Sequence, residues 1–422
     1  VDSQDDGEFF EAKAKPVSRV PAQSDKIILA FPPGIGDFAL VLPVGGTFSL
    51  MSDSSPVAGI LEIHDKGYGF LRKPERGSAP TPQDVFVPPD MIKRNGLRDG
   101  VQLSGISIAN GRGPQLIELQ QINERGIDLY RDQLPFEELT TINPNRWIKL
   151  ETGADKLSAR VLDLMTPIGH GQRGLIVASP RSGKTMLMQA IADAVLINSP
   201  DTFVMIVLID ERPEEVTDFR QFLAGRGEIW SSSNDQENAS HVRLAKLVIE
   251  RAKRLVESGR DVFILLDSIT RLGRAFNIGA KGNTGSGGLS SRALEIPRKI
   301  FAAARQTEEA GALTIVATAL IDTNSRMDEV IFQEFKGTGN MEIVLDRRLA
   351  EARVYPSIDI EKSGTRREEL LLPKTILDKV TIIRRGLHGL PVQAQMERLL
   401  MILKKFPDNK TALEQLPTRP VT

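Results

Sequence analysis

The chain has no cysteine. That excludes disulfides, thiolate nucleophiles and cysteine-based zinc sites. Its four histidines, at positions 64, 170, 241 and 388, are scattered without metal-ligand spacing. Aromatic residues make up only 5 % of the chain, so any place where several gather is informative. Neither sign of charge dominates: 54 basic and 55 acidic residues leave a formal net charge of −1. This argues against a general polycationic coat and still permits local basic loops. No apolar run reaches the length of about 18 residues that a spanning helix needs, so no membrane segment is expected. The apolar stretch 27–51 is broken by Pro32, Pro33, Gly34, Asp37, Pro43, Gly45 and Gly46. It lacks a convincing cleavage site and is not expected to be a signal peptide, which leaves the cytoplasm as the expected location. What is present is a 41 % hydrophobic content over 422 residues, enough to build cores in two or three domains.

Three segments differ in pattern. Residues 1–52 open with a polar, acidic stretch that reads as a flexible tail, followed by short β-like runs at 27–31 and 39–42. From 53 to 128 short alternating runs at 59–63, 68–71, 84–87, 101–108 and 115–122 recur between turn residues, the pattern of a small β-barrel. From 129 to 422 strands alternate with helices. Apolar strands are expected at 174–178, 202–209, 262–266 and 312–317, with helices at 185–198 and from a cap at Ser240 to a stop at Gly259. Met396, Leu399, Leu400, Leu403 and Phe406 mark a last helix with a packing face. Apolar strands separated by helices imply a parallel sheet covered on both faces.

The run Ala178-Ser179-Pro180-Arg181-Ser182-Gly183-Lys184-Thr185 lies between a strand and a helix. Apart from Ala178, where the full motif has glycine, it satisfies the phosphate-loop pattern. Loop N–H groups and the helix N-terminus would face the phosphates, Lys184 would neutralise the β/γ oxygens, and the Thr185 hydroxyl would meet Mg²⁺. Asp267 ends the strand 262–266. A carboxylate there suits the second shell of that metal; alone it could equally cap a helix. Asp210-Glu211-Arg212 follows the strand 202–209 and opens on the same edge. Glu211 is the candidate for orienting the attacking water, its bland alternative being an ion pair with Arg212. Glu214 and Glu215 fit the first turn of a helix. An arginine should complete the charge compensation, and Arg347, Arg348, Arg353, Arg366 and Arg367 all stand as candidates.

Tyr68 and Phe70 are two apart in a strand and share a face, and Phe86 can join them from a neighbour. With Arg72 nearby they form a candidate stacking platform for single-stranded bases; the alternative, barrel core, is weakened by the flanking glycines. The glycine-rich stretch Lys281-Gly282-Asn283-Thr284-Gly285-Ser286-Gly287-Gly288 reads as a mobile loop. Arg326 lies just past a strand end, and Lys336 follows in Glu334-Phe335-Lys336-Gly337. Such loops could push on RNA in a central channel.

These runs, together with Leu208-Ile209-Asp210-Glu211-Arg212-Pro213, Leu265-Leu266-Asp267-Ser268-Ile269-Thr270-Arg271 and Gly169-His170-Gly171-Gln172-Arg173-Gly174, resemble the Rho family of bacterial transcription terminators over about residues 56–405. The resemblance implies a RecA-like P-loop ATPase core with an N-terminal OB or cold-shock-like β-barrel. It implies a homohexameric ring with ATP and Mg²⁺ between subunits, and a 5′-to-3′ RNA translocase and helicase that binds nascent single-stranded RNA and releases it from RNA polymerase. It implies Glu211, Lys184 and Arg366 as catalytic, the last offered to a neighbour's ATP. It implies ATP contacts from residues 169–174, from Arg181, Ser182, Gly183, Lys184, Thr185 and Met186, and from Arg212. Asp267 would reach Mg²⁺ through water. Tyr68, Phe70, Arg72 and Phe86 would form the primary RNA site; Thr284, Gly285, Ser286, Gly287, Gly288, Arg326 and Lys336 would face RNA in the channel. Ser268, Arg271, Asp322, Lys336 and Gly337 fall where the family's inhibitor bicyclomycin would bind. Residues 1–52 lack the family's recognisable helical subdomain. Arg181 and Arg326 stand where lysine is usual, and Leu116 stands where a stacking aromatic is expected.

Two other classes compete. A rotary or secretion ATPase subunit also joins a small barrel to a related core, but its barrel has no need of the Tyr68, Phe70 and Phe86 face. A passive RNA chaperone needs no Lys184, Thr185, Glu211 and Asp267.

Overall fold

Leu175 and Val177 alternate with Ile176 and Ala178 in one strand, and all four are buried. A strand whose two faces are both apolar must be covered on both sides. The computed structural model describes residues 26–29, 40–43, 54–74, 80–111, 113–280, 283 and 285–415. Thr284 and all but the last residue of the expected tail 1–26 lie outside the described residues. In the unit 1–52, Lys26–Leu29 pairs antiparallel with Leu40–Pro43.

The unit 53–422 shows the expected combination of a β-barrel and an α/β core. Five strands close the barrel: Ser54–Ile63, Gly69–Arg72, Val85–Val87, Gln102–Asn110 and Gly113–Ile122. Leu61, Leu71, Val87, Leu103, Leu116 and Ile122 fill it. In the core, six parallel strands run in the order Glu228–Ser233, Phe203–Glu211, Val262–Asp267, Ala312–Leu320, Arg173–Ala178 and Met341–Val344; Gly364–Thr365 adds an antiparallel edge. Val204, Ile206, Leu208, Phe263 and Leu265 face one side with the helix Lys184–Asn198. Met205, Val207, Ile209, Ile264 and Leu266 face the other, under the helices Asn238–Glu257, Ile269–Ile278 and Arg326–Lys336. Among the described residues no helix is long and apolar enough to cross a membrane.

Three local expectations shift. The helix expected to start at a Ser240 cap begins at Asn238, whose side-chain amide donates to the Ala275 carbonyl at 2.8 Å, so Ser240 lies in the first turn. Phe406 falls just beyond the helix Val392–Lys404. Glu211 is not past its strand but is its last residue: Asp210 adopts φ 56° and the pairing slips there, so the strand continues one residue further.

Barrel and core meet through buried charge. Glu257, on a core helix, accepts from Arg98 of the barrel at 2.7 and 3.0 Å and from the Phe136 N–H at 2.7 Å, and pairs with Arg254 at 2.9 Å. Arg251 reaches the barrel's Gln102 at 2.8 Å and Asn123 at 3.1 Å. Removing one partner of a buried pair leaves uncompensated charge at a cost of about 3–5 kcal/mol. Glu257→Ala is therefore expected to destabilise the chain by about that amount, read as a lowered midpoint in denaturant-induced unfolding.

Candidate functional site

The parallel register sets Leu208 beside Asp267 and Leu266 beside Ala317. Strands running the same way release their ends on one edge, and three of them deliver the phosphate loop, Glu211 and Asp267 there. Arg181 and Gly183 hold left-handed φ values of 65° and 86°, and Gly183 caps the helix Lys184–Asn198. A Cβ at Gly183 would also stand 3.3 Å from the Tyr355 ring. The Ser182 hydroxyl donates to the Ser179 carbonyl at 2.7 Å, and Ser357 donates to the Ser182 carbonyl. The loop is thus held in shape with its backbone N–H groups at a helix N-terminus, an arrangement suited to an anion.

The Lys184 ammonium lies 2.6 Å from Asp267 Oδ1 and 3.4 Å from Glu211 Oε1. Burial pulls its pKa down, but the two carboxylates outweigh burial and hold it above the ordinary lysine value. Thr318 donates its hydroxyl to Asp267 Oδ1 at 2.7 Å. Asp267 is not a helix cap: Ser268 fills that role for Ile269–Ile278, accepting from the Arg271 N–H at 3.1 Å. Glu211 is 1 % exposed. Its partners are Lys184 and Arg271, the latter at 3.5 Å, rather than Arg212, which is exposed at the head of the helix Pro213–Leu223. Burial and then Asp267 push the Glu211 carboxyl up to about 7, against the pull of Lys184 and Arg271. A carboxyl poised near neutrality beside a phosphate loop can take up or orient the proton of an attacking water. Oxygen donors suit Mg²⁺. The Thr185 hydroxyl and Asp267 fit it, and with Asp267 already engaged by Lys184 and Thr318, contact through water fits better than direct ligation. Met186, 62 % exposed, and Tyr355 flank this loop. Tyr355 was missed as a site residue, since it lies far from the loop in sequence and carries no motif of its own; Arg271 was expected only at the inhibitor site, and its pairing with Glu211 is new.

Gly169, His170, Gly171, Gln172, Arg173 and Gly174 stand apart from the phosphate loop of their own subunit. They lie at the opposite end of the strand Arg173–Ala178, about 17 Å away at strand rise. There His170 faces Asp261 at 3.5 Å, and the Gly171 N–H donates to Thr314 Oγ1 at 2.9 Å. Gln172 donates to Asn340 Oδ1 at 2.7 Å and Arg173 to the Thr338 carbonyl at 3.1 Å. Within one subunit they do not reach the phosphate loop. Arg366 is at this far edge too: Thr365 is level with Met341, which is level with Gly174. Arg366 is exposed, and no carboxylate pairs with it among the described residues. By contrast Arg347 pairs with Glu351 at 2.8 Å, Arg348 with Asp346 and Arg367 with Glu369 at 2.6 Å.

On the barrel, Tyr68, Phe70 and Phe86 form a triangle with ring centroids 5.7–5.8 Å apart. All three are half-buried and stand outside the barrel core. His64, missed in the sequence, stacks on Tyr68 at 4.8 Å across the turn through Gly67. Arg72 is buried, held by Glu62 at 2.6 Å and by Asp84, with its guanidinium 5.2 Å from the Phe70 ring. The expectation for Leu116 is corrected: two slips in the pairing of Gln102–Asn110 with Gly113–Ile122 reset the alternation and turn Leu116 fully inward. Gln115 is the residue paired with Phe86. It lines a cavity of about 890 Å³ with Phe70, Phe86, Asp84, Thr81 and Asn110.

In the core, residues 285–288 pack on the start of the helix Arg326–Lys336. Gly287 has φ 67°, and a Cβ there would meet the Arg326 carbonyl at 2.9 Å. Asn277 ties this loop down, donating to the Gly288 carbonyl at 3.1 Å and accepting from the Ser290 N–H at 2.7 Å. Gly285, Ser286, Gly287, Gly288 and Arg326 are thus brought together. Lys336 is not with them: it ends the same helix, about 15 Å along its axis, 3.7 Å from Glu342. Gly337 follows it there as the C-cap of that helix.

Residues 57–128 match the Rho termination factor RNA-binding domain. Residues 158–365 match the nucleotide-binding domain of the ATP synthase alpha/beta family. The chain is 47 % identical over 368 residues to a transcription termination factor Rho of Cereibacter sphaeroides, across 85 % of this chain and 87 % of that one. Identity to the transcription termination factor Rho of Escherichia coli K12 is 47 % over 366 residues, across 85 % and 87 %. A solved ATPase from the type III secretion system of pathogenic bacteria aligns at TM-score 0.54 and 20 % identity, over 68 % of this chain and 84 % of that chain. At that identity the likeness shows the fold alone.

Only ionised Glu211 can accept a proton, so kcat/KM for ATP should rise with pH through about 7. Arg271 lowers the Glu211 pKa, so Arg271→Gln should move this midpoint to higher pH. The pH profiles of steady-state ATP turnover by both proteins check this; an unshifted midpoint would take Arg271 out of the account.

Proposed function

Since the chain belongs to the Rho family of transcription termination factors, an RNA-binding, ATP-hydrolysing group, we propose that it works as a ring. In this reading six copies form the ring and each ATP site is finished by a neighbour. RNA enters on the barrels, 53–128, and is drawn 5′-to-3′ by the motor part, 129–422, until the transcript is released from RNA polymerase. The reading places this work in the cytoplasm, where transcripts are made. The observation that carries it is the presence, in one compact unit, of a hydrolysis centre and a half-buried aromatic triangle outside the barrel core.

The division of labour follows from the geometry. Lys184 leaves its carboxylates to meet the β/γ phosphate oxygens, with loop N–H groups from Arg181, Ser182 and Gly183 around them. Thr185 and, through water, Asp267 hold Mg²⁺, which when bound neutralises charge on the phosphates. Glu211 then lacks its ammonium partner and is free to polarise the attacking water. Arg366 is on the wrong edge to serve its own subunit's ATP, and its unpaired guanidinium supports a role at the neighbour's site. Residues 169–174 share that edge, so any contact they make with ATP would be with the neighbour's. Met186, Tyr355 and Arg212 border the cleft. On the RNA side, Tyr68, Phe70 and Phe86 stack bases and Arg72 braces Phe70. Residues 284–288 and Arg326 follow the strand in the channel, and Lys336 contributes charge further along its helix.

Single-stranded RNA is expected to raise ATP turnover severalfold; equal rates with and without RNA would instead favour a rotary-type ATPase. Glu211→Gln should retain ATP binding while turnover falls by about 10²–10⁴-fold, measured by nucleotide binding and phosphate release. Arg366→Ala should also be inactive alone. Mixing it with Glu211→Gln subunits should restore part of the activity, because some interfaces then hold both Glu211 and Arg366. No recovery on mixing would put the finger in the same subunit or elsewhere.

A further inference from the structure

One carboxylate is shared between the RNA-facing barrel and the motor. Glu62 lies directly across from Phe70 in the barrel sheet. It accepts from Arg72 Nε at 2.6 Å. It also accepts from Arg243 at 3.0 and 3.5 Å, and Arg243 belongs to the core helix Asn238–Glu257. Arg72 in turn holds Asp84, which accepts from the Thr81 N–H at 2.7 Å and the Thr81 hydroxyl at 2.9 Å. Phe70, Asp84 and Thr81 all line the cavity of about 890 Å³. An unbroken chain of charge-assisted hydrogen bonds therefore runs from a motor helix to the wall of the base pocket: Arg243, Glu62, Arg72, Asp84, Thr81.

We propose that Arg243 is a positioning residue of the barrel's single-stranded RNA site, acting through Glu62 on Arg72 and the Phe70 ring above it. The proposal rests on the reading of the aromatic face as an RNA site. Within this chain of contacts two guanidinium groups balance two carboxylates. The Arg72 and Asp84 side chains are only 8 % and 9 % exposed, so each charge depends on its partners. A carboxylate has lone-pair sites for both arginines at once. Without Arg243 one guanidinium faces two carboxylates within this chain, beside a polyanionic ligand, and Glu62 is free to turn Arg72 away from Phe70. The same helix reaches the hydrolysis side: Asn238 donates to the Ala275 carbonyl of Ile269–Ile278, the helix that also carries Arg271. By linkage, whatever bias the helix exerts on the pocket, a base in the pocket returns to the helix.

The test measures binding of a labelled single-stranded pyrimidine oligonucleotide to the full chain without nucleotide. Arg243→Gln, Arg243→Lys and Phe70→Ala are compared singly, and each Arg243 change is combined with Phe70→Ala. Arg243→Gln is expected to weaken binding about tenfold, within the usual range of coupling between sites, and Arg243→Lys to recover part of the loss. In the Phe70→Ala background the loss from Arg243→Gln should largely vanish, because the residue acts through that ring; a general loosening of the barrel would subtract the same factor in both backgrounds. Binding within twofold of the unaltered chain, or equal losses in both backgrounds, overturns the proposal and leaves the RNA reading standing. Wild-type binding by Phe70→Ala overturns the RNA reading and the proposal with it. If Arg243→Gln does not fold, Arg243→Lys carries the same cycle, with a smaller loss that must again vanish beside Phe70→Ala.

Discussion

Everything at the nucleotide edge depends on one buried ammonium. Lys184 holds Asp267 and Glu211 together at the ends of two adjacent parallel strands. Two carboxylates this close and this buried would repel without it. With it they form a neutralised cluster that a polyphosphate can reopen by competing for the cation. The raised Glu211 pKa reflects that balance: burial and Asp267 push one way, Lys184 and Arg271 the other. The site is built to change its charge distribution when ATP arrives.

The same sheet imposes a complementary constraint. Parallel strands send the phosphate loop, Glu211 and Asp267 to one edge and leave Gln172, Arg173, Asn340 and Arg366 at the other. A single subunit thus carries its hydrolysis groups on one edge and the unpaired Arg366 on the opposite one, the arrangement that the proposed ring would use. Cyclic association of identical subunits joins two such edges without further invention. The barrel is tied to this core by ion pairs at Glu257 and Arg243 and by hydrogen bonds from buried Arg251 rather than by a loose linker, so the aromatic face is held relative to the motor.

Much of this was legible in the sequence, for definite reasons. The strand-loop-helix around Lys184 has one dominant physical purpose, and apolar runs separated by helices compel a covered parallel sheet. Tyr68 and Phe70, two apart among glycines, were expected on one face outside the core, and they stand half-buried there. What failed was what depends on local irregularity. Two slips in barrel pairing turned Leu116 inward and brought Gln115 beside Phe86; periodicity cannot see a bulge. The left-handed Asp210 carried Glu211 into the strand.

The sequence by itself determined the chemistry and the class of fold: which groups could grip phosphate, polarise water and stack bases, and that helices must flank a parallel sheet. Those follow from residue type and spacing, which are local. Tertiary structure decided partnership. It chose Lys184 and Arg271 over Arg212 as the neighbours of Glu211. It set Arg366 apart from Arg347, Arg348 and Arg367 by leaving it unpaired on the far edge, and it made Glu62 common property of barrel and motor. Contacts between residues from 27 to 181 positions apart depend on strand order and register, and these exist only once the chain has closed on itself.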